Sequence, residues 1–152
     1  MSTILSLFAL AFAAAGEPTP VALLRAHISG NTAWVARLSS DAKGCQVSVT
    51  RGVGKGQIVE KAQPPLADCR AMLALVDPAT SELKNDPPRP TRRMDEPDYE
   101  LRIKDRFGGV DFSSPEVCEL DATGTLKCKT NALSNAQQLL LRLRAYARKG
   151  PR

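Results

Sequence analysis

A single histidine, a single tryptophan and an aromatic content of 5% leave this chain of 152 residues little from which to build a catalytic or base-stacking site. His27 stands in an extended apolar stretch with no Asp, Cys or Ser beside it at a nucleophile spacing, so a catalytic triad has no support. No C-x-x-C pair is present to begin a zinc site. Gly52, Gly54 and Lys55-Gly56 invite comparison with a phosphate loop, but the Ser or Thr that would meet magnesium is missing and a strand pattern follows. The carboxylates Asp95, Glu96, Asp98 and Glu100 fall on a loop and an exposed strand face, a poor setting for acid–base work. The reading is of a non-enzymatic protein that takes no metal and no cofactor. Nucleic acid is not an expected partner either, because the net charge of +5 is modest, spread along the chain and accompanied by no stacking motif.

Long hydrophobic runs are equally scarce. The one from Ile4 to Ala15, interrupted only by Ser6, is too short to span a bilayer but has the length of a signal-peptide core. Ala13 and Ala15 precede Gly16 at the small-residue spacing of a cleavage site, and Pro18 and Pro20 stop any continuing helix. Residues 1–15 are therefore expected to be a signal peptide and the product to be exported, periplasmic or extracellular. No Cys follows the run to take a lipid, so neither an anchor nor stable membrane insertion is expected.

What the chain does have is an even set of four cysteines, at positions 45, 69, 118 and 128, which in an oxidising compartment reads as a disulfide framework. Cys45 to Thr50 alternates, with Cys45, Val47 and Val49 on one face and Gln46, Ser48 and Thr50 on the other. Three glycines in Arg51 to Gly56 reverse the chain, and Gln57 to Ala62 returns as the second strand of a hairpin. Pro65 then opens a helix whose inner face carries Leu66, Cys69, Leu73 and Val76, and which Asp77-Pro78 closes. Cys45 and Cys69 thus face one core.

A Pro-rich connection with charges of both signs occupies residues 85–98. Alternation resumes at Tyr99, Leu101 and Ile103 against Glu100, Arg102 and Lys104, with a reversal expected at Gly108-Gly109. Cys118 and Cys128 flank the turn signal Asp121-Ala122-Thr123-Gly124 and can face each other across a third hairpin. Of the three connectivities, Cys45 with Cys69 and Cys118 with Cys128 is favoured. Ser134 and Gln137 form a capping box for a last helix with Ala136, Leu140, Leu143 and Ala147 inside and Arg142, Arg144, Arg148 and Lys149 at its polar side or end. Residues 16–44 are expected as an extended or hairpin segment ahead of a domain at 45–152. The fold class is α+β: an antiparallel sheet of hairpins, stapled by disulfides, with two helices packed on one face.

The hairpin around Val47-Ser48-Val49-Thr50-Arg51-Gly52, the helix, the Pro-rich connection, Asp98-Tyr99-Glu100-Leu101, a further hairpin and a Leu-rich terminal helix occur in an order that resembles the emfourin family. Those proteins are small proteinaceous inhibitors of thermolysin-like metallopeptidases, and the likeness covers about residues 45–148. The cysteines and the hairpin from Ser113 to Thr130 stand outside that pattern. The resemblance implies an inhibitor with a metallopeptidase partner. Exposure rather than a matching motif places its contacts at two loop tips: Arg51, Val53, Lys55 and Gln57 in one, Arg106 and Phe107 in the neighbouring Asp105 to Gly109 turn. The other reading is a non-catalytic interaction module that binds a protein or envelope polymer through Gln46, Ser48, Thr50, Glu100, Arg102 and Lys104.

Overall fold

The alternating stretch from Cys45 to Thr50 becomes part of a strand, and the two strands ahead of it carry apolar residues on both faces, as in Val21-Ala22-Leu23-Leu24 and Ala33-Trp34-Val35-Ala36. The computed structural model describes residues 16–52, 54–89, 97–112, 114 and 116–148. The expected signal peptide, Val53 and residues 90–96 of the Pro-rich connection lie outside them. Four strands form a meander: β1 (Thr19–Ile28), β2 (Asn31–Asp41), β3 (Gly44–Arg51) and β4 (Ile58–Ala62). Helix α1 (Leu66–Glu82) then carries the chain to β5 (Asp98–Ile103) and β6 (Arg106–Val110). A short separate hairpin, β7 (Cys118–Leu120) and β8 (Leu126–Cys128), precedes α2 (Asn135–Arg148).

The six-stranded sheet has the order β4-β3-β2-β1-β5-β6, and every neighbouring pair is antiparallel. The segment expected ahead of the domain therefore supplies the two central strands, β2 and β1. Their hairpin closes at Ser29 and Gly30, both at positive φ (52° and 79°), the backbone of a type I′ turn whose twist matches that of the strands. One face of the sheet is buried by Ala22, Leu24, Ala36, Leu38, Val47, Val49, Leu101 and Ile103. Both helices lie on it, contributing Cys69, Met72, Val76, Leu139, Leu140 and Leu143. A fully buried Leu, Ile or Met of this kind is worth roughly 1.5–3 kcal/mol in transfer free energy, so this face holds the fold together. The architecture is α+β, antiparallel and stapled by disulfides at Cys45–Cys69 and Cys118–Cys128, the two favoured pairs.

Several local expectations are corrected. Pro78 does not close α1, which continues to Glu82. The carbonyl that Pro78 cannot bond belongs to exposed Ala74, where water can satisfy it, and burial of Ala79 and Leu83 rewards the extra turn. The buried stripe is Cys69, Met72, Val76 and Ala79, while Leu66 at the first turn is 54% exposed.

The β5–β6 reversal is at Lys104-Asp105, with Lys104 at φ 55°, and not at Gly108-Gly109. Those two glycines sit within β6 because the chain leaving α1 wraps that strand's outer edge. A Cβ at Gly109 would stand 2.6 Å from the Pro88 Cα, and one at Gly108 would stand 3.2 Å from a Leu83 methyl. Asn85 N–H donates to the Phe107 carbonyl at 2.8 Å, Phe107 N–H to Asn85 Oδ1 at 3.0 Å, and Gly109 N–H to the Asp86 carbonyl at 3.3 Å. The outer edge of β6 is thereby occupied.

Finally, Arg144 is not on the polar side of α2. It is buried, with its guanidinium 5.7 Å from the Tyr99 ring centre and 5.4 Å from that of Phe112.

Candidate protein-contact site

The registers decide which loops can act together. Ile28 pairs with Asn31 and Arg51 with Ile58 at one end of the sheet, whereas Asp41 pairs with Gly44 and Ile103 with Arg106 at the other. The two tips expected to be neighbours therefore point in opposite directions. They are also separated by roughly 20 Å across the sheet, four strand spacings of about 4.8 Å. One cleft cannot receive both.

At the far tip, Arg106 is exposed and donates to the Leu83 carbonyl at 3.5 Å, while Phe107 is half-buried with the Arg102 guanidinium 5.2 Å from its ring centre. Both groups are engaged in holding the β6 edge.

The β3–β4 tip is built differently. Gly52 (φ 79°) and Gly54 (φ 62°) supply left-handed backbone, and a Cβ on Gly52 would meet the Gly56 carbonyl oxygen at 2.9 Å. A single 3₁₀ turn at Gly54–Gly56 follows, closed by Gln57 N–H on the Gly54 carbonyl at 3.2 Å. Lys55 and Gln57 project into solvent. Arg51 does not join them: its guanidinium donates to the Ala147 carbonyl in the last turn of α2 and lies 3.7 Å from Glu60. A cation at a helix C-terminus meets unpaired carbonyls and the negative end of the dipole, so Arg51 braces the root of the tip against α2. Lower on the same hairpin, Cys45 is bonded to Cys69 and ties β3 to α1.

Beyond the tip, β4 is an edge strand with no strand paired to its outer side among the described residues. Ile58 and Val59 are consecutive and so point to opposite faces, yet they are 57% and 53% exposed. Beneath β4 runs a groove of about 330 Å³ lined by Val47, Val49, Glu60, Ala62, Pro65 and Tyr146. Its floor is fixed by Asp68, which accepts from Arg142 at 2.6 Å and from the Tyr146 hydroxyl. Burial first, then the hydrogen bond and the charge of Asp68, hold the Tyr146 proton well above the ordinary phenol range, against the opposing pull of Arg142. Tyr146 is thus a neutral donor and not a base.

Sequence reasoning placed Lys55 and Gln57 at a solvent-exposed tip, where the structure has them. It missed the exposed Ile58 and Val59, although two adjacent apolar residues in an alternating strand cannot both face the core. Arg51, half-buried on the helix side opposite Trp34 and Ile58, could not be separated from the tip without the strand register. Among the described residues no group of His, Cys, Asp or Glu could hold a metal ion, and no helix is long and apolar enough to cross a membrane. Compared with family models, with curated proteins and with solved structures, the chain matches none of them.

Proposed function

We propose that this chain is an exported, non-catalytic binding protein whose contact element is the β3–β4 hairpin, its tip and free edge together, and whose partner is another protein. The observation that carries the reading is the combination of a braced root with an exposed end. Cys45–Cys69 and Arg51 hold the hairpin from below, and Lys55, Gln57, Ile58 and Val59 are left in solvent above. A loop already ordered by its scaffold loses little freedom on binding, which is how rigid inhibitor loops reach high affinity from modest areas. Disulfides in the core suit an oxidising compartment and thus export. The resemblance to the emfourins supplies the partner class: a thermolysin-like metallopeptidase whose cleft the tip would enter.

The experiment is a titration of the oxidised protein against a thermolysin-like metallopeptidase, with a serine protease as control. Inhibition confined to the metallopeptidase, lost at least tenfold in a Lys55→Ala, Gln57→Ala, Ile58→Ser variant and retained in Arg106→Ala, is the expected outcome. Inhibition that survives the triple change would exclude this hairpin as the contact. A folded protein that inhibits neither enzyme removes the metallopeptidase as partner.

A further inference from the structure

The face of the sheet turned away from the helices carries an ordered array of charge. Following the registers across the strands, one row reads Lys61, Ser48, Arg37, Leu23, Arg102, Phe107. The next reads Val59, Thr50, Val35, Arg25, Glu100, Gly109. In the first row the cations stand on β4, β2 and β5, on every second strand, which spaces them at roughly 10 Å. Arg25, on β1, stands diagonally between Arg37 and Arg102 in the second row.

The one carboxylate in these rows, Glu100, is already matched. It lies 3.6 Å from Arg25 and 3.3 Å from Arg102, and its side chain is only 11% exposed. Arg37 and Lys61 are exposed, and among the described residues no carboxylate lies within ion-pair distance of either. Arg25 and Arg102 share Glu100, whereas Arg37 and Lys61 keep their charge uncompensated among the described residues and so stand open to an external anion.

We infer that this face binds a linear acidic polysaccharide laid across the strands, its carboxylate or sulfate groups meeting Lys61, Arg37 and Arg102 in turn. Two features select this partner among polyanions. The regular interval suits a polymer whose acidic group recurs on alternate sugars. The positions between the cations, Ser48 and Leu23, offer a hydroxyl and an apolar patch, as the edges and faces of sugar rings require. A single-stranded nucleic acid would need aromatic platforms for its bases. In these rows the only ring is that of Phe107, half-buried with Arg102 over it. The surface lies opposite the helix layer; it shares β4 with the hairpin assigned above, through Val59 and Lys61, but not the tip at Lys55 and Gln57.

The test is fluorescence anisotropy of the oxidised protein with a labelled hyaluronan octasaccharide, which bears a carboxylate on alternate sugars, at low and at physiological salt. A neutral malto-octaose and an oligothymidylate of similar length serve as comparisons. Expected are saturable binding to the acidic sugar, weakening with salt, none to the neutral one, and weaker binding to the oligothymidylate. Each of Arg37→Gln and Lys61→Gln should lower affinity about threefold to fivefold, as exposed charge contacts do, and the triple variant with Arg102→Gln should abolish it. Arg37 and Lys61 are solvent-exposed, so the two single variants report binding without disturbing the fold; the Lys55→Ala, Gln57→Ala, Ile58→Ser variant should bind the sugar as well as the parent does. Absence of binding at low salt, a triple variant that binds like the parent, or tighter binding of the oligothymidylate would overturn the inference.

Discussion

Glu82 ends one helix and secures the start of another. Its Oε1 accepts from the Asn135 N–H at 3.1 Å and from the Asn135 side-chain amide at 2.7 Å, and its Oε2 accepts from the Ala136 N–H at 2.9 Å. Burial pushes the Glu82 pKa up, but hydrogen bonds from the Ala136 backbone, from the Asn135 side chain and backbone and from Ser134 outweigh it, and the net shift is downward. A carboxyl whose folded-state pKa lies below its unfolded value of 4.5 contributes its full stability above about pH 4.5 and loses it as pH falls through the folded value. Glu82→Gln is therefore expected to cost about 1 kcal/mol at pH 7, the usual worth of a helix cap. Urea midpoints of the two proteins should converge as pH falls through the folded-state pKa of Glu82. The local half of this arrangement was legible: Ser134 and Gln137 form the capping box that their spacing announces, at 2.9 and 3.2 Å. The Glu82 half was not, because it joins residues distant in sequence. Nor was the burial of Arg144, where a long side chain reaches between two rings that only the folded sheet and the following loop bring together.

Among the elements, the disulfides were the most legible feature, since each cysteine lies in a segment whose own periodicity fixes its direction. Cys45 alternates with Val47 and Val49, Cys69 lies on the helix stripe, and Cys118 stands directly opposite Cys128 in the β7–β8 register. The two bonds differ in reach. Cys45–Cys69 spans 24 residues and joins sheet to helix in the core, whereas Cys118–Cys128 spans 10 and closes a hairpin. Chain-entropy reasoning gives about 3 kcal/mol for the longer loop and somewhat less for the shorter. Cys45→Ala with Cys69→Ala should lower the urea midpoint more than Cys118→Ala with Cys128→Ala; the reverse order would show that the hairpin, and not the sheet–helix tie, limits stability. The end of α1 was misread for a complementary reason. A proline is a local stop signal, and here tertiary burial of Ala79 and Leu83 overrides it.

At the scale of the molecule, the strand order was the part hidden in the sequence. Hairpins could be read one at a time, but nothing local says that β5 pairs with β1, and so nothing showed that residues 19–41 form the middle of the sheet. A fragment beginning at Cys45 would lose Leu24 and Leu38 from the core and separate β3 from β5. It should show no cooperative unfolding transition, and a folded fragment by circular dichroism and NMR would refute the central role of the first hairpin. The same topology sent the two loop tips to opposite ends, leaving the β3–β4 hairpin as the one that unites tip, edge and groove. The unequal treatment of the two sheet edges has a last consequence. The chain leaving α1 lies along β6 through Asn85 and Asp86, while among the described residues no strand pairs with the outer side of β4. In the language of polymer growth, the six-stranded sheet is monofunctional: it can be extended once, at β4, and then has no free end. Edge pairing between copies would stop at a dimer, so such a sheet terminates a growing stack and does not propagate one.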